Sequence, residues 1–383
     1  MLYSVGLGAV TPIVSLTALS LGASTGLAAA MIMIIGLGSL CMNVPAAVLT
    51  ARFGERATMI FAALWAAIGM ATALWSSQLP MLAVGVFLVG MAGAPFNLAR
   101  QSYLAEVIAP THRARAMSTL GGTLRVGSLL GPFAASAAMI PLGLDGAYWV
   151  GLAAMVVALI VCWWIPERLT HERDVPLTET EKPAQPAKQV SVWSVAKQHA
   201  RVFGTVGIGV VLLSGVRAAR VAVVPLWADA IGLDASVAAL IYGLSGLIEV
   251  LVFYPAGRLM DKRGRVFVAV PCMAFMGVAL FFLPFTQGVV SLSVVAMLLG
   301  FGNGIGSGIV MTLGADYAPA AVRPQFLGTW RLGSDMGIMA LPLILSGVTA
   351  AVSLAAGIWV VCGAAFVGAL VLGIFIPRTP RQS

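Results

Sequence analysis

Apolar runs of about 20 residues recur from one end of this chain to the other, and no other feature limits the fold as strongly. In hydrocarbon every backbone N–H and C=O must find its partner inside the segment, so each run has to cross a bilayer as a helix. The breaks predict helices over 1 to 20, 26 to 50, 57 to 76, 81 to 106, 115 to 140 and 144 to 165. A second set follows over 203 to 228, 235 to 257, 266 to 286, 289 to 315, 325 to 348 and 351 to 376. The expected class is an all-α membrane protein with twelve transmembrane helices. With 60% hydrophobic residues among 383 and a mean hydropathy of +0.99, the chain belongs in lipid. The first run begins almost at Met1 without a basic leader and is long for a signal-peptide core, so it reads as a retained helix.

A net charge of +8 would suit nucleic acid, but the basic residues form no long block. Lys and Arg sit in loops near 51 to 56, 110 to 115, 166 to 201, 261 to 265 and 323, and in the C-terminal tail. The alternate loops carry only Asp145, Asp229 and Asp234. This is the positive-inside pattern, which puts the basic loops and both termini in the cytoplasm. The expected location is a bacterial plasma (inner) membrane. Membrane lipid is therefore an expected partner and nucleic acid is not.

Cys41, Cys162, Cys272 and Cys362 are isolated in apolar runs and read as buried free thiols, while His112, His171 and His199 lie in loops without ligand spacing. No metal, cofactor or enzymatic chemistry is expected. The four lysines fit no phosphate-binding G-x-x-x-x-G-K-[ST] loop, so energy has to come from a gradient or a partner.

Shifting the sequence by 210 residues lays one half over the other. Gly22 falls on Gly232, Pro45 on Pro255, Leu49 on Leu259, Arg52 on Lys262, Gly54 on Gly264 and Gly90 on Gly300. Glu106 then meets Asp316, Arg113 meets Arg323, Thr119 meets Thr329 and Gly127 meets Gly337. Two copies of a six-helix unit, each with an even number of spans, share one membrane orientation. The expected division is residues 1–165, a cytoplasmic linker over 166–201, and residues 202–383. Ser191 to Arg201 reads either as a short interfacial helix or as a solvated tether.

Against a charged content of 9%, five charged side chains gather between Arg258 and Arg265. GRLMDKRGR at 257 to 265 resembles the G-x-L-x-D-R-x-G-R loop signature of the major facilitator superfamily, and it lies between the second and third helices of its half, as there. The equivalent AVLTARFGER at 47 to 56 keeps Leu49, Arg52 and Gly54 but has Ala47 and Ala51 for Gly and Asp, with Arg56 one place after Glu55. The resemblance implies the major facilitator fold, with two pseudo-symmetric six-helix bundles. It also implies a cytoplasmic latch made of Gly257, Asp261, Lys262, Gly264 and Arg265, with Arg52, Gly54 and Arg56 opposite. GSLLGP at 127 to 132 is similar to the G-x-x-x-G-P core of a fifth-helix motif in the antiporter branch, although Ser118, Ala135 and Ser136 replace its usual glycines. It leans towards export, with helix packing as the other account.

Ionisable groups deep in a membrane cost at least about 2.5 to 3.5 kcal/mol on insertion scales, so each should face a cavity or a partner. Arg217 and Arg220 lie in the seventh helix and Glu249 near the middle of the eighth, where Tyr242, Ser245, Glu249 and Phe253 share one face, expected to line the transport path. Arg331 and Asp335 stand at i,i+4 in the eleventh helix, close enough to pair. Asn97, Arg100 and Gln101 come from the fourth helix and Arg125 from the fifth. The excess of arginine reads as anion binding or as tuning of a carboxylate that carries a proton, with Glu249 the first candidate and Asp335 the second. Permanent ion pairs are the alternative. Glu106 and Asp316 read as helix-end salt bridges. In the tenth helix Gly300, Gly304 and Gly308 form one packing stripe, and Gly302 and Gly306 form another.

The expected protein is a monomeric secondary transporter coupling protons to efflux of a small organic or amphiphilic molecule. Uptake of an anionic metabolite is the runner-up, and a non-transporting membrane sensor or lipid-handling protein is the third reading.

Overall fold

In the computed structural model, residues 1–108, 110–165, 197–319 and 322–376 are described. Most of the expected linker, the C-terminal tail, and the side chains of Glu106 and Arg113 lie outside that description. Among the described residues, twelve helices are long and apolar enough to span a membrane. They are α1 Leu2–Ser20, α2 and α3 within Thr25–Leu74, α4 Leu79–Leu104, α5 Thr119–Leu142 and α6 Asp145–Trp164. The second half supplies α7 Ala200–Ala230, α8 Ala235–Arg263, α9 Val266–Phe285, α10 Val289–Tyr317, α11 Gln325–Ala351 and α12 Leu354–Phe375. Trp164, Val290 and Met311 are strongly exposed.

The 210-residue repeat is a repeat of contacts. A Cβ on Gly90 would collide with the carbonyl oxygen of Ile35, and one on Gly300 with that of Ser245. A Cβ on Gly127 would stand 2.5 Å from the carbonyl oxygen of Met1, and one on Gly337 would collide with that of Val211. In each case the residue approached is also displaced by 210, so the same glycine lets the same two helices touch in both halves. Small residues permit such backbone approach in lipid, where burial of apolar surface gives helices no separate reason to associate.

Corners repeat too. Gly22 and Gly232 have φ of +84° and +77°, and Gly54 and Gly264 have +80° and +96°. Side-chain-bearing residues rarely adopt this region, so glycine ends the helix there. Because α8 stays helical to Arg263, most of the expected loop over 258 to 265 is in fact its last turns, and the corner narrows to Gly264. Gly54 makes the matching corner between α2 and α3.

Gly308 departs from its expected role. With φ of +87° and nothing within 4 Å of a Cβ, it packs against no helix and instead breaks α10 between Ile305 and Ile309. Gly300 and Gly304 pack on α8 beside Ser245 and Glu249, while Gly302 packs on α9 and Gly306 against Cys272 and Arg217. Cys41 is exposed, whereas Cys162, Cys272 and Cys362 are buried. The glycines of GSLLGP set α5 on α1, Gly127 at Met1 and Ser4 and Gly131 at Val5 and Ala9, which is the packing account of that segment.

Between the halves α2 lies against α11 and α5 against α8. Away from the basic loops, Ser136 Oγ donates to the carbonyl of Ser236 at 2.8 Å, and Gly26 lies against Ser346. Between these flanks α7 also touches the end of α1 and the Thr25–Leu74 helix of the other half.

Candidate functional site

Glu249 is where the halves meet electrostatically. Its Oε2 accepts from Arg220 Nη2 at 3.0 Å within its own half, and its Oε1 lies 3.6 Å from Arg125 Nη1 of the other half. The shared face expected on α8 serves these two arginines. Arg220 Nη1 donates to Ser245 Oγ at 3.3 Å and its guanidinium stands 5.6 Å from the Tyr242 ring centroid. Arg125 stacks over Phe253 at 3.9 Å. Each guanidinium thus has an aromatic face as well as a carboxylate, which suits its planar, weakly hydrated cation.

The remaining shell comes from α7 and α10. Arg217 is within electrostatic reach of Glu249 rather than bonded to it, and Asn303 lies within hydrogen-bonding reach of the carboxylate. Arg217 Nε and Nη2 are shut off from solvent without an acceptor. The break in α10 lies beside this group: a Cβ at Gly306 would come 2.8 Å from Arg217 Nη2.

Asp335 does not pair with Arg331 as the i,i+4 spacing suggests. No ion pair joins them among the described residues; Arg331 is exposed, and Asp335 Oδ2 accepts from Asn43 Nδ2 of the other half at 3.2 Å. A guanidinium on a flexible stem stays in water where it can, and the part-buried carboxylate takes the amide that the α2–α11 contact brings to it.

Arg100, Asn97 and Gln101 stand apart. Arg100 Nη2 donates to Asn97 Oδ1 at 2.7 Å and the guanidinium lies 5.6 Å from the Phe96 centroid, while Gln101 is exposed. Tyr3, Asn43, Phe96 and Asn303 were not singled out by the sequence. A lone phenol or amide in an apolar run is an available signal, but its partner is set by tertiary contact.

In the loop signature, Arg265 makes the ion pair. Its Nε and Nη2 donate to Asp316 Oδ2 and Oδ1 at 2.7 and 3.3 Å, tying the start of α9 to the end of α10. That is the helix-end bridge expected of Asp316. Asp261 and Lys262, the latch candidates, are exposed and make no ion pair among the described residues, because both ride on the outer turns of α8. In the first half Arg56 Nη2 donates to the carbonyl of Trp163 at 2.6 Å, and Arg52 lies over Phe53. Near these basic ends, a cavity of about 460 Å³ opens between α4 and α5, lined by Leu104, His112, Thr119 and Thr123 among others.

The family model described as Major Facilitator Superfamily matches residues 1–325 and 221–383. No curated protein matches in sequence. Solved structures of similar fold include a D-xylose-proton symporter, 15% identical, with a TM-score of 0.72 over 98% of this chain and 96% of that one. A POT family transporter in complex with 5-aminolevulinic acid is 11% identical, with a TM-score of 0.76 over 98% and 93%. The nucleoside transporter NupG is 13% identical, with a TM-score of 0.72 over 97% and 95%.

Proposed function

Because the chain belongs to the major facilitator superfamily and has its fold, we propose that it is a secondary active transporter in which protonation of Glu249 drives the alternation of two six-helix bundles. The observation that carries this reading is the double pairing of Glu249, to Arg220 in one half and to Arg125 in the other. Ionised, the carboxylate draws α5 to α8. Neutral, it no longer attracts Arg125, and the bundles part along that flank.

The magnitudes suit a switch. The Glu249–Arg125 contact is long at 3.6 Å and only partly buried, so losing it costs less than the roughly 3 to 5 kcal/mol of a fully buried pair. Carrying a two-state equilibrium from 1:99 to 99:1 takes about 5.5 kcal/mol. One proton at this position therefore supplies part of the shift, with solute binding supplying the rest.

The solute is a small organic molecule received between α1, α4, α7 and α10. Export remains the favoured direction from the sequence, although the packing of GSLLGP accounts for that segment without it. The test is a panel of small organic compounds applied to proteoliposomes that hold a pH-sensitive dye. A coupled compound moves protons and accumulates against its gradient, and the sign of the pH change gives the direction. Glu249→Gln should lose uphill transport and keep counterflow exchange; if it still concentrates the compound, Glu249 is not the proton carrier.

A further inference from the structure

Arg100 is a cation inside the membrane region with no carboxylate within 4 Å among the described residues. Glu249 serves Arg125 and Arg220, and Asp316 serves Arg265. Arg100 has the neutral oxygen of Asn97 on Nη2, while its Nε and Nη1 are closed to solvent and lack an acceptor.

Beside it lies a second unmet donor. Tyr3 of α1 is 2% exposed and stacks on Phe96, with centroids 4.0 Å apart and planes at 10°. Its hydroxyl is also closed to solvent and unpartnered, and it is within electrostatic reach of Arg100. Both side chains lean on the ring of Phe96, so the unmet donors gather around one residue. Gly93, one turn before Asn97, leaves the phenol uncrowded: a Cβ there would stand 3.9 Å from its oxygen.

Buried charges in proteins are paired, and buried donors are bonded, because leaving either unmet costs several kcal/mol. Stacking on Phe96 and the bond to Asn97 hold the two side chains in place but leave these donors unmet. A ligand that brings the acceptor meets them.

We propose that Arg100, Tyr3 and Asn97 form the carboxylate-binding subsite of the transport path, so that the solute is an organic acid carried as its monoanion. The proposal rests on the chain being a solute carrier as set out above. The Met1 amine lies within electrostatic reach of Arg100 as a second positive group, so the choice of a carboxylate rests on the donors that Arg100 and Tyr3 present. Two carboxylate oxygens offer about four lone-pair sites, enough for two N–H groups and one phenol O–H.

The full chain, purified in detergent without a gradient, is melted with benzoate and octanoate, and in parallel with benzamide and octanamide. The acids should raise the melting temperature saturably and the amides should not; preference for octanoate or benzoate separates a fatty acid from a water-soluble acid. A hydrogen bond to a charged group is worth about 1.5 to 3 kcal/mol, so Tyr3→Phe should weaken acid binding by roughly 10- to 100-fold. Its ligand-free melting temperature should stay that of the parent, because the hydroxyl has no partner to lose. Arg100→Gln should abolish the acid effect, and Gly363→Ala, where a Cβ meets nothing within 4 Å, should keep it.

Acids that bind no better than amides, methylphosphonate that binds better than any acid, or unchanged acid binding in Tyr3→Phe and Arg100→Gln would each overturn the subsite. The two readings fail separately. Uphill transport by Glu249→Gln removes the proton carrier and leaves this subsite standing, whereas parental acid binding in Tyr3→Phe and Arg100→Gln removes the subsite and leaves the carrier.

Discussion

Arg125 and Asp335 occupy the same place in the two halves, 210 residues apart, and each reaches into the other half. Arg125 stacks on Phe253, and Asp335 accepts from Asn43, which is the residue equivalent to Phe253. The repeat has kept the place of contact on both flanks while changing its chemistry. One flank has a guanidinium on a ring with a carboxylate beside it; the other has a carboxylate on an amide. On the proposed mechanism, a proton at Glu249 should loosen α5 from α8 directly and α2 from α11 only as the bundles turn.

That asymmetry makes the end away from the basic loops the place to hold the bundles together. Ser136 and Ser236 are in hydrogen-bond contact there, from α5 to α8. With Cys41 replaced by Ser, the pair Ser136→Cys and Ser236→Cys should join under an oxidant or a short thiol cross-linker. Transport should then fall to background and return on reduction. Undiminished transport by the joined protein would show that the halves do not part at this end.

Close glycine contacts should be equally costly in both halves. An added methyl at Gly90 or Gly300 meets a backbone carbonyl that cannot rotate away, and overpacking of this kind costs about 1 to 3 kcal/mol. Gly90→Ala and Gly300→Ala should each lower the melting temperature by similar amounts. Gly121→Ala and Gly363→Ala, where a Cβ meets nothing within 4 Å, should leave it level or slightly higher. A large difference between Gly90→Ala and Gly300→Ala would break the equivalence of the α2–α4 and α8–α10 contacts.

At the basic end, the Arg265–Asp316 pair is bidentate but partly in water, with side chains 27% and 37% exposed. Pairs so exposed contribute about 0 to 1 kcal/mol, and salt weakens them further. Asp316→Asn should therefore shift the melting temperature little, and less still at high salt. Gly264→Ala should cost more, about 1 to 3 kcal/mol, because its φ of +96° with ψ of 170° is a region open essentially to glycine alone. The opposite ranking would mean that the charge, not the corner, holds α8 to α9.

Those corners show what could be read from the sequence and what could not. Twelve spans follow from apolar runs, since hydrocarbon leaves the backbone no alternative, and the spaced glycines gave the repeat because a contact without room for a Cβ admits few other residues. Glu249 with Arg220 was readable as a central carboxylate one helix away from a central arginine. Gly308 was not: a glycine every fourth residue has the same spacing whether it packs a neighbour or breaks the helix. Asn43 has its partner 292 residues away, so no local pattern could name Asp335 for it, and the local i,i+4 pattern pointed to Arg331 instead.

The two flanks can also be set against each other by mutation. Glu249→Gln removes the charge that holds Arg125, whereas Asp335→Asn keeps an oxygen that can still accept from Asn43, so the first change should favour the parted state more strongly. A hydrogen bond to a charged group is worth about 1.5 to 3 kcal/mol and one between neutral groups about 0.5 to 1.5, which puts the cost of Asp335→Asn near their difference. Fluorescence transfer between labels on the two halves reads the population directly. Two rigid bundles released in one motion should show additive effects, within about 0.5 kcal/mol, when the substitutions are combined. Coupling well beyond that would mean that the bundles bend as they part, with the α2–α11 flank answering to the state of Glu249 through the helices themselves.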